Sequence, residues 1–97
     1  MAGPKFSLRV VSLVREVFRG DVESIYIMGD EGEYEMLAFH YPLIGAVPEG
    51  EIYVAGHDPI PLKTGVVMFD ENNHCTVIIE EKDQDDAVDK QFFSKKK

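Results

Sequence analysis

Turn-forming residues recur along this chain at short intervals, several of them close to the roughly 8–12 residues of sandwiches and barrels, and that rhythm restricts the fold more than any other feature of the sequence. They fall at Arg19-Gly20-Asp21, Gly29 to Gly32, Pro48-Glu49-Gly50, Gly56-His57-Asp58-Pro59 and Asp70-Glu71-Asn72-Asn73. Glycine, asparagine and aspartate tolerate positive φ, and proline fixes φ, so each cluster has a physical reason to reverse the chain. Between the clusters lie β-branched runs with a period of two. Phe6, Leu8 and Val10 point one way and Ser7 and Arg9 the other; Ile25 and Ile27 alternate with Ser24 and Tyr26. Val77 and Ile79 alternate with Thr76 and Ile78, which predicts a strand buried on both faces. Nothing before residue 80 sustains a helical period. The expectation is an all-β, two-sheet sandwich of about ten short strands over residues 6–81, with an N-terminal extension at 1–5 and a C-terminal tail at 82–97. From Glu80 to Asp89 the chain offers one strong apolar residue, Val88, too little to offset the cost of ordering. The tail is expected to be disordered or to form one short helical turn.

The 97 residues fit one domain. A single cysteine, Cys75, excludes an internal disulfide and agrees with a reducing compartment. No run of about 18 apolar residues is present to span a membrane, and the first residues lack a signal or transit pattern. These features predict a cytoplasmic protein, most simply bacterial. The net charge of −8 argues against a nucleic-acid partner, which needs a basic face. It describes either an ordinary acidic surface or one suited to basic partners rather than anionic lipid.

Chemical constellations are sparse. His40, His57, His74 and Cys75 are the soft metal-ligand candidates, but adjacent His74-Cys75 lacks the spacing that places two ligands on one ion. A Cys/His nucleophile would need an orienting third group and an oxyanion site, and nothing marks either. Asp30, Glu31, Glu33 and Glu35 lack the pattern of a calcium loop. No glycine-rich phosphate loop occurs. The expectation is a non-enzyme with no metal and no cofactor.

A set of ordered motifs carries a resemblance. Leu8-Arg9-Val10-Val11-Ser12 is like an opening strand, followed by Phe18-x-Gly20-x-Val22-x-x-Ile25, the turn Gly29-x-x-Gly32-Glu33, and His40-x-Pro42-Leu43-Ile44. Gly50-x-Ile52-x-Val54, Leu62-x-x-Gly65-Val66-Val67 and Cys75-Thr76-Val77-Ile78 complete the series. In order and spacing the chain resembles the N-terminal β-sandwich of the epsilon subunit of F-type (rotary) ATP synthase, from about Phe6 to Glu81. It departs from that pattern at Glu35 and Met36, at Ala38-Phe39 where the family has Pro-Gly, and at Lys63-Thr64 where it has Ser-Gly.

The resemblance implies a central-stalk (rotor) subunit of a proton- or sodium-translocating enzyme, itself without bond chemistry. It implies docking on the gamma subunit and the c-ring, without membrane insertion, on the cytoplasmic side of the bacterial inner membrane. Gly29, Glu31, Gly32, Glu33 and His40 correspond to the c-ring contact, whose loops commonly offer Arg and Gln. Ser12, Pro42 and Leu43 correspond to the gamma contact. Tyr34, Phe39 and Tyr41 are interface anchors or ordinary half-buried strand residues. The family's C-terminal helical hairpin, which can inhibit hydrolysis or bind ATP, needs two helices; only 16 residues follow Glu81, so a short form without that hairpin, or a chain cut near that boundary, is expected, neither binding ATP nor inhibiting hydrolysis. Two other classes stay open: a free-standing acidic β-sandwich scaffold in another complex, and an enzyme or metal protein using His40, His74, Cys75 and the acids.

Overall fold

Alternating apolar residues give a strand one greasy face, and that face must be covered by a second layer. The computed structural model, which describes residues 3–29 and 32–82, shows how this chain does so. Its strands are β1 (Phe6–Val11), β2 (Glu16–Val22), β3 (Ser24–Gly29), β4 (Gly32–Leu37), β5 (Leu43–Val47), β6 (Gly50–Val54), β7 (Ile60–Phe69) and β8 (His74–Glu81). One layer has the order β5-β7-β8-β1-β2 and the other β6-β3-β4. All pairings are antiparallel except β1 with β8, which run parallel.

β7 joins the layers. Its first residues pair with β6 (Gly50↔Leu62, Ile52↔Ile60), and its last pair with both β5 and β8. The register with β8 shifts between Leu62 and Thr64, so a bulge lies at the crossing. A bulge bends a strand and strengthens its twist. Gly65 follows it, and a Cβ there would lie 2.7 Å from the Ile78 carbonyl oxygen. Glycine is what allows β7 to press this closely against β8.

The core lies between the layers. Phe6, Leu8, Val10, Val67, Phe69, Cys75, Val77 and Ile79 from the larger layer meet Ile25, Ile27, Met36, Ile52, Val54 and Leu62 from the smaller side in one contiguous cluster. Among the described residues none of the buried side chains is polar or charged. The Phe6 and Phe69 rings touch at 5.3 Å between centroids. Each such side chain removed from water contributes about 1.5–3 kcal/mol before ordering costs.

Two readings of local sequence are corrected. Arg19-Gly20-Asp21 is not a turn: it lies within β2, paired to β1 at Arg9↔Arg19, Leu8↔Gly20 and Ser7↔Asp21. The first reversal comes earlier, at residues 12–15. β8 is not buried on both faces, because Ile78 is 42% exposed on the outer side. The strand after the acidic turn ends at Leu37, and His40 to Pro42 belong to the following loop. Eight strands form where about ten were expected, and β2 runs unbroken through Arg19-Gly20-Asp21, read as a break. Lys82 apart, the expected tail lies outside the described residues.

Candidate functional site

The residues singled out from the sequence fall at opposite ends of the sandwich. Gly29 and Gly32 face each other across the β3–β4 hairpin, with Glu33 opposite Met28. Gly32 has φ +123°, a conformation that only glycine adopts without strain. Glu31 lies outside the described residues. β4 then carries the chain away from this end for about 17 Å, at roughly 3.3 Å per residue, before His40 is reached. His40, Pro42 and Leu43 therefore share the other end with the β7–β8 turn, away from Gly29, Gly32 and Glu33.

At the hairpin end, Glu33 is exposed near the start of β4. Its carboxylate lies beside the Tyr26 hydroxyl, raising the pKa of that phenol. Glu51 does the same to Tyr53, whose hydroxyl donates to it at 2.6 Å. The register sets Glu33, Met28 and Glu51 in one row and Glu35, Tyr26 and Tyr53 in the next. The outer face of the smaller layer is thus a grid of carboxylates and phenols, an acceptor surface suited to guanidinium and amide donors.

Ser12 stands at the hairpin end too, in the β1–β2 turn. Its hydroxyl accepts from the backbone N–H of Val14 and of Arg15, both at 3.2 Å, and its own N–H donates to the Arg15 carbonyl at 2.8 Å. Arg15 reaches Glu81 through two bonds of 3.2 and 2.6 Å. The guanidinium holds the Glu81 carboxyl below the usual carboxylate range. This turn presents Leu13 and Val14, 97% and 84% exposed, which the sequence motifs did not single out. A serine opening the turn was the available signal.

The other end is built around a bracket. Asn73 accepts from the Phe39 N–H at 2.6 Å through Oδ1 and donates to the Lys5 carbonyl at 2.9 Å through Nδ2. It holds Phe39 at φ +64°, a left-handed conformation costing about 1–2 kcal/mol for a residue with a Cβ. The His40 N–H donates to the Leu37 carbonyl at 3.2 Å, closing the turn. The His40 ring stacks on Tyr41 at 4.7 Å and approaches Phe69 at 5.6 Å. Phe39 and Tyr41 are 73% and 76% exposed. They are not half-buried strand residues. Beside them Pro42, Leu43, Ile44, Met68 and Phe69 form an open groove of about 660 Å³, rimmed by Asp70, Glu71 and Asn72. The Asn73 bracket links residues 34 apart in sequence, so no local pattern announces it.

The metal-ligand candidates do not converge. His57 packs edge-on against Phe18 at 4.8 Å, His74 lies exposed 3.8 Å from Asp70, and Cys75 is buried on the opposite face of β8. Among the described residues no three His, Cys, Asp or Glu side chains are grouped to hold a metal.

Residues 5–82, which include every strand, match the family described as ATP synthase, Delta/Epsilon chain, beta-sandwich domain. The chain belongs to this family. An ATP synthase epsilon chain of Campylobacter jejuni subsp. doylei is 28% identical over 75 residues, covering 73% of this chain and 58% of that one. The delta/epsilon-type sandwich described above thus spans less than two thirds of that relative's length. A chain in a cryo-EM structure of the Tetrahymena thermophila mitochondrial ATP synthase central stalk and c-ring has TM-score 0.70 at 12% identity, covering 84% of this chain and 67% of that one. A chain of the Euglena gracilis mitochondrial ATP synthase gives 0.66 at 18%, covering 84% and 61%. At these identities both speak to the fold alone.

Proposed function

We propose that this chain is a non-catalytic central-stalk subunit of a proton- or sodium-translocating F-type ATP synthase. It docks on the gamma subunit and the c-ring, peripheral to the cytoplasmic side of a bacterial inner membrane. The family match across the whole eight-stranded body carries this reading. The structure is suited to the task physically. A rotor part must pass torque without shearing, and two layers locked over an apolar core deform little.

The separation of the two ends supports two docking surfaces. The hairpin end, with Gly29, Gly32, Glu33 and the carboxylate–phenol grid, suits the donor-rich loops of the c-ring; Glu31 belongs to the same hairpin by sequence. The loop end, with Pro42, Leu43 and now His40, suits the gamma subunit. Ser12 stabilises its own turn, so its part in a contact runs through the Leu13-Val14 pair it presents. The test is co-purification. A tagged chain expressed in its native host should retain gamma, the catalytic subunits and the c-ring after detergent extraction. Recovery of the chain alone, or with an unrelated assembly, would sink the reading and favour a scaffold elsewhere.

A further inference from the structure

We propose that the loop end binds a basic amphipathic segment of a protein partner. One apolar side chain of that segment enters the groove between β5 and β7, and its Lys or Arg residues lie along the Asp70–Glu71 rim. This deepens the docking assigned to the loop end above and rests on that reading only for the partner's identity.

Three observations converge. The first is strain. Phe39 occupies a left-handed position that glycine would fill at no cost, and Asn73 is committed to holding it there. A bulky aromatic kept at such φ, yet mostly exposed, gains little for the fold. Strain of this kind marks positions whose side chain is used for something else. The second is the groove. Its floor is apolar, from Leu43, Met68 and Phe69, and Ile44 at its wall is 77% exposed. The exposed Phe39 and Tyr41 belong to the loop that leads into it, with the His40 ring between Tyr41 and Phe69, so aromatic surface, which dominates interface energetics, adjoins the groove. The third is charge. Asp70 and Glu71 stand on the rim. Asp70 Oδ1 is engaged by the backbone N–H groups of Asn72 and His74 at 2.8 and 3.0 Å, which fix the carboxylate in place. Its other oxygen lies 3.8 Å from His74 Nδ1. An apolar slot beside two carboxylates, that of Asp70 held in place, selects a hydrophobic residue flanked by cations and disfavours one flanked by acids.

The probe is a synthetic amphipathic Leu/Lys peptide, titrated into the isotope-labelled full chain and followed by amide chemical shifts. Controls are a Leu/Glu peptide of the same apolar pattern and a Ser/Lys peptide with the charge but no anchor. Saturable shifts are expected at Phe39 to Ile44 and Met68 to Asn72. The two control peptides should bind about tenfold more weakly or worse, equivalent to 1.4 kcal/mol. Phe39→Gly should weaken the Leu/Lys peptide about fivefold or more while leaving the melting temperature unchanged or higher, since glycine relieves the strain. Glu71→Lys should weaken binding without unfolding. Shifts elsewhere, equal binding of the Leu/Glu peptide, or full affinity in Phe39→Gly would overturn the proposal. So would concentration-dependent shifts at the same amides without peptide, which would assign the groove to a second copy. Co-purification of the ATP synthase is read separately, so either idea can fail alone.

Discussion

Cys75 combines a reactive atom with an unreactive setting. Its side chain is 1% exposed between Phe69 and the β1 strand that pairs with β8. Burial, with a smaller push from Asp70, raises the thiol pKa to about 12. The thiolate is the nucleophile, so native Cys75 should resist disulfide reagents and react only once denaturant opens the sandwich. Rapid labelling of the native chain would contradict this. The same shift makes a pH prediction. The folded state holds the thiol proton more tightly than the unfolded chain, whose thiol titrates near about 8.5. The resulting stability is intact below that value and is lost as pH rises through it toward about 12. Denaturation midpoints should therefore fall more steeply in alkali for the native chain than for Cys75→Val. The opposite sign governs Glu81. Its carboxyl is held low by Arg15, so that stabilisation is present at neutral pH and fades as acid carries the solution through the lowered value. Because the pair is largely in solvent, this effect is expected to be small.

The strands differ in what holds them, and glycine substitutions reveal it. A Cβ at Gly65 would meet the Ile78 carbonyl oxygen at 2.7 Å, and Ile79 and Leu62 side-chain carbons at 3.2 Å. Backbone cannot yield as a side-chain tip can, so Gly65→Ala should force β7 from β8 and cost about 1–3 kcal/mol. Gly45, on the other neighbour of β7, offers ordinary contacts at 3.7 and 3.9 Å, and Gly45→Ala should change stability by no more than about 0.5 kcal/mol. Paired denaturant titrations decide; equal effects would show that β8 is not closely clasped. The same element shows why the sequence was only partly legible. β1 and β3 could be read because alternation and burial agree: Phe6, Leu8 and Val10 are buried and Arg9 is exposed. β2 could not, since an edge strand needs only one partner and tolerates a glycine whose usual meaning is a turn. Ile78 misled for a related reason. An isoleucine suits a pleated strand on either face, so its side chain does not reveal whether that face is covered. The hairpin turn was legible from Gly29 and Gly32 alone, whereas the loop end depends on Asn73 reaching Phe39 across the fold.

At the scale of the molecule, the decisive fact is that one rigid body carries two dissimilar ends. The hairpin end offers carboxylates and phenols, and the loop end offers an aromatic knuckle with an acidic-rimmed groove. β4 runs from one end toward the other, so substitutions at the two ends share no side-chain partner. Free energies of mutations more than about 7–10 Å apart, with no shared partner, usually add to within about 0.5 kcal/mol. Glu33→Lys reverses a charge on an exposed strand residue and should leave folding intact while weakening retention on the c-ring. Ile44→Asp places a charge on an exposed groove residue and should weaken retention on gamma. If the ends dock independently, as the proposed function requires, the double variant should lose the sum of the two single losses when dissociation from the assembled enzyme is measured. A single contact combining the Gly29–Glu33 hairpin with the loop end predicts otherwise. Once the first substitution broke that shared surface, the second would cost little more. Additive losses therefore support a body gripped at both ends, and a saturating double variant would return the loop end and the hairpin to one interface.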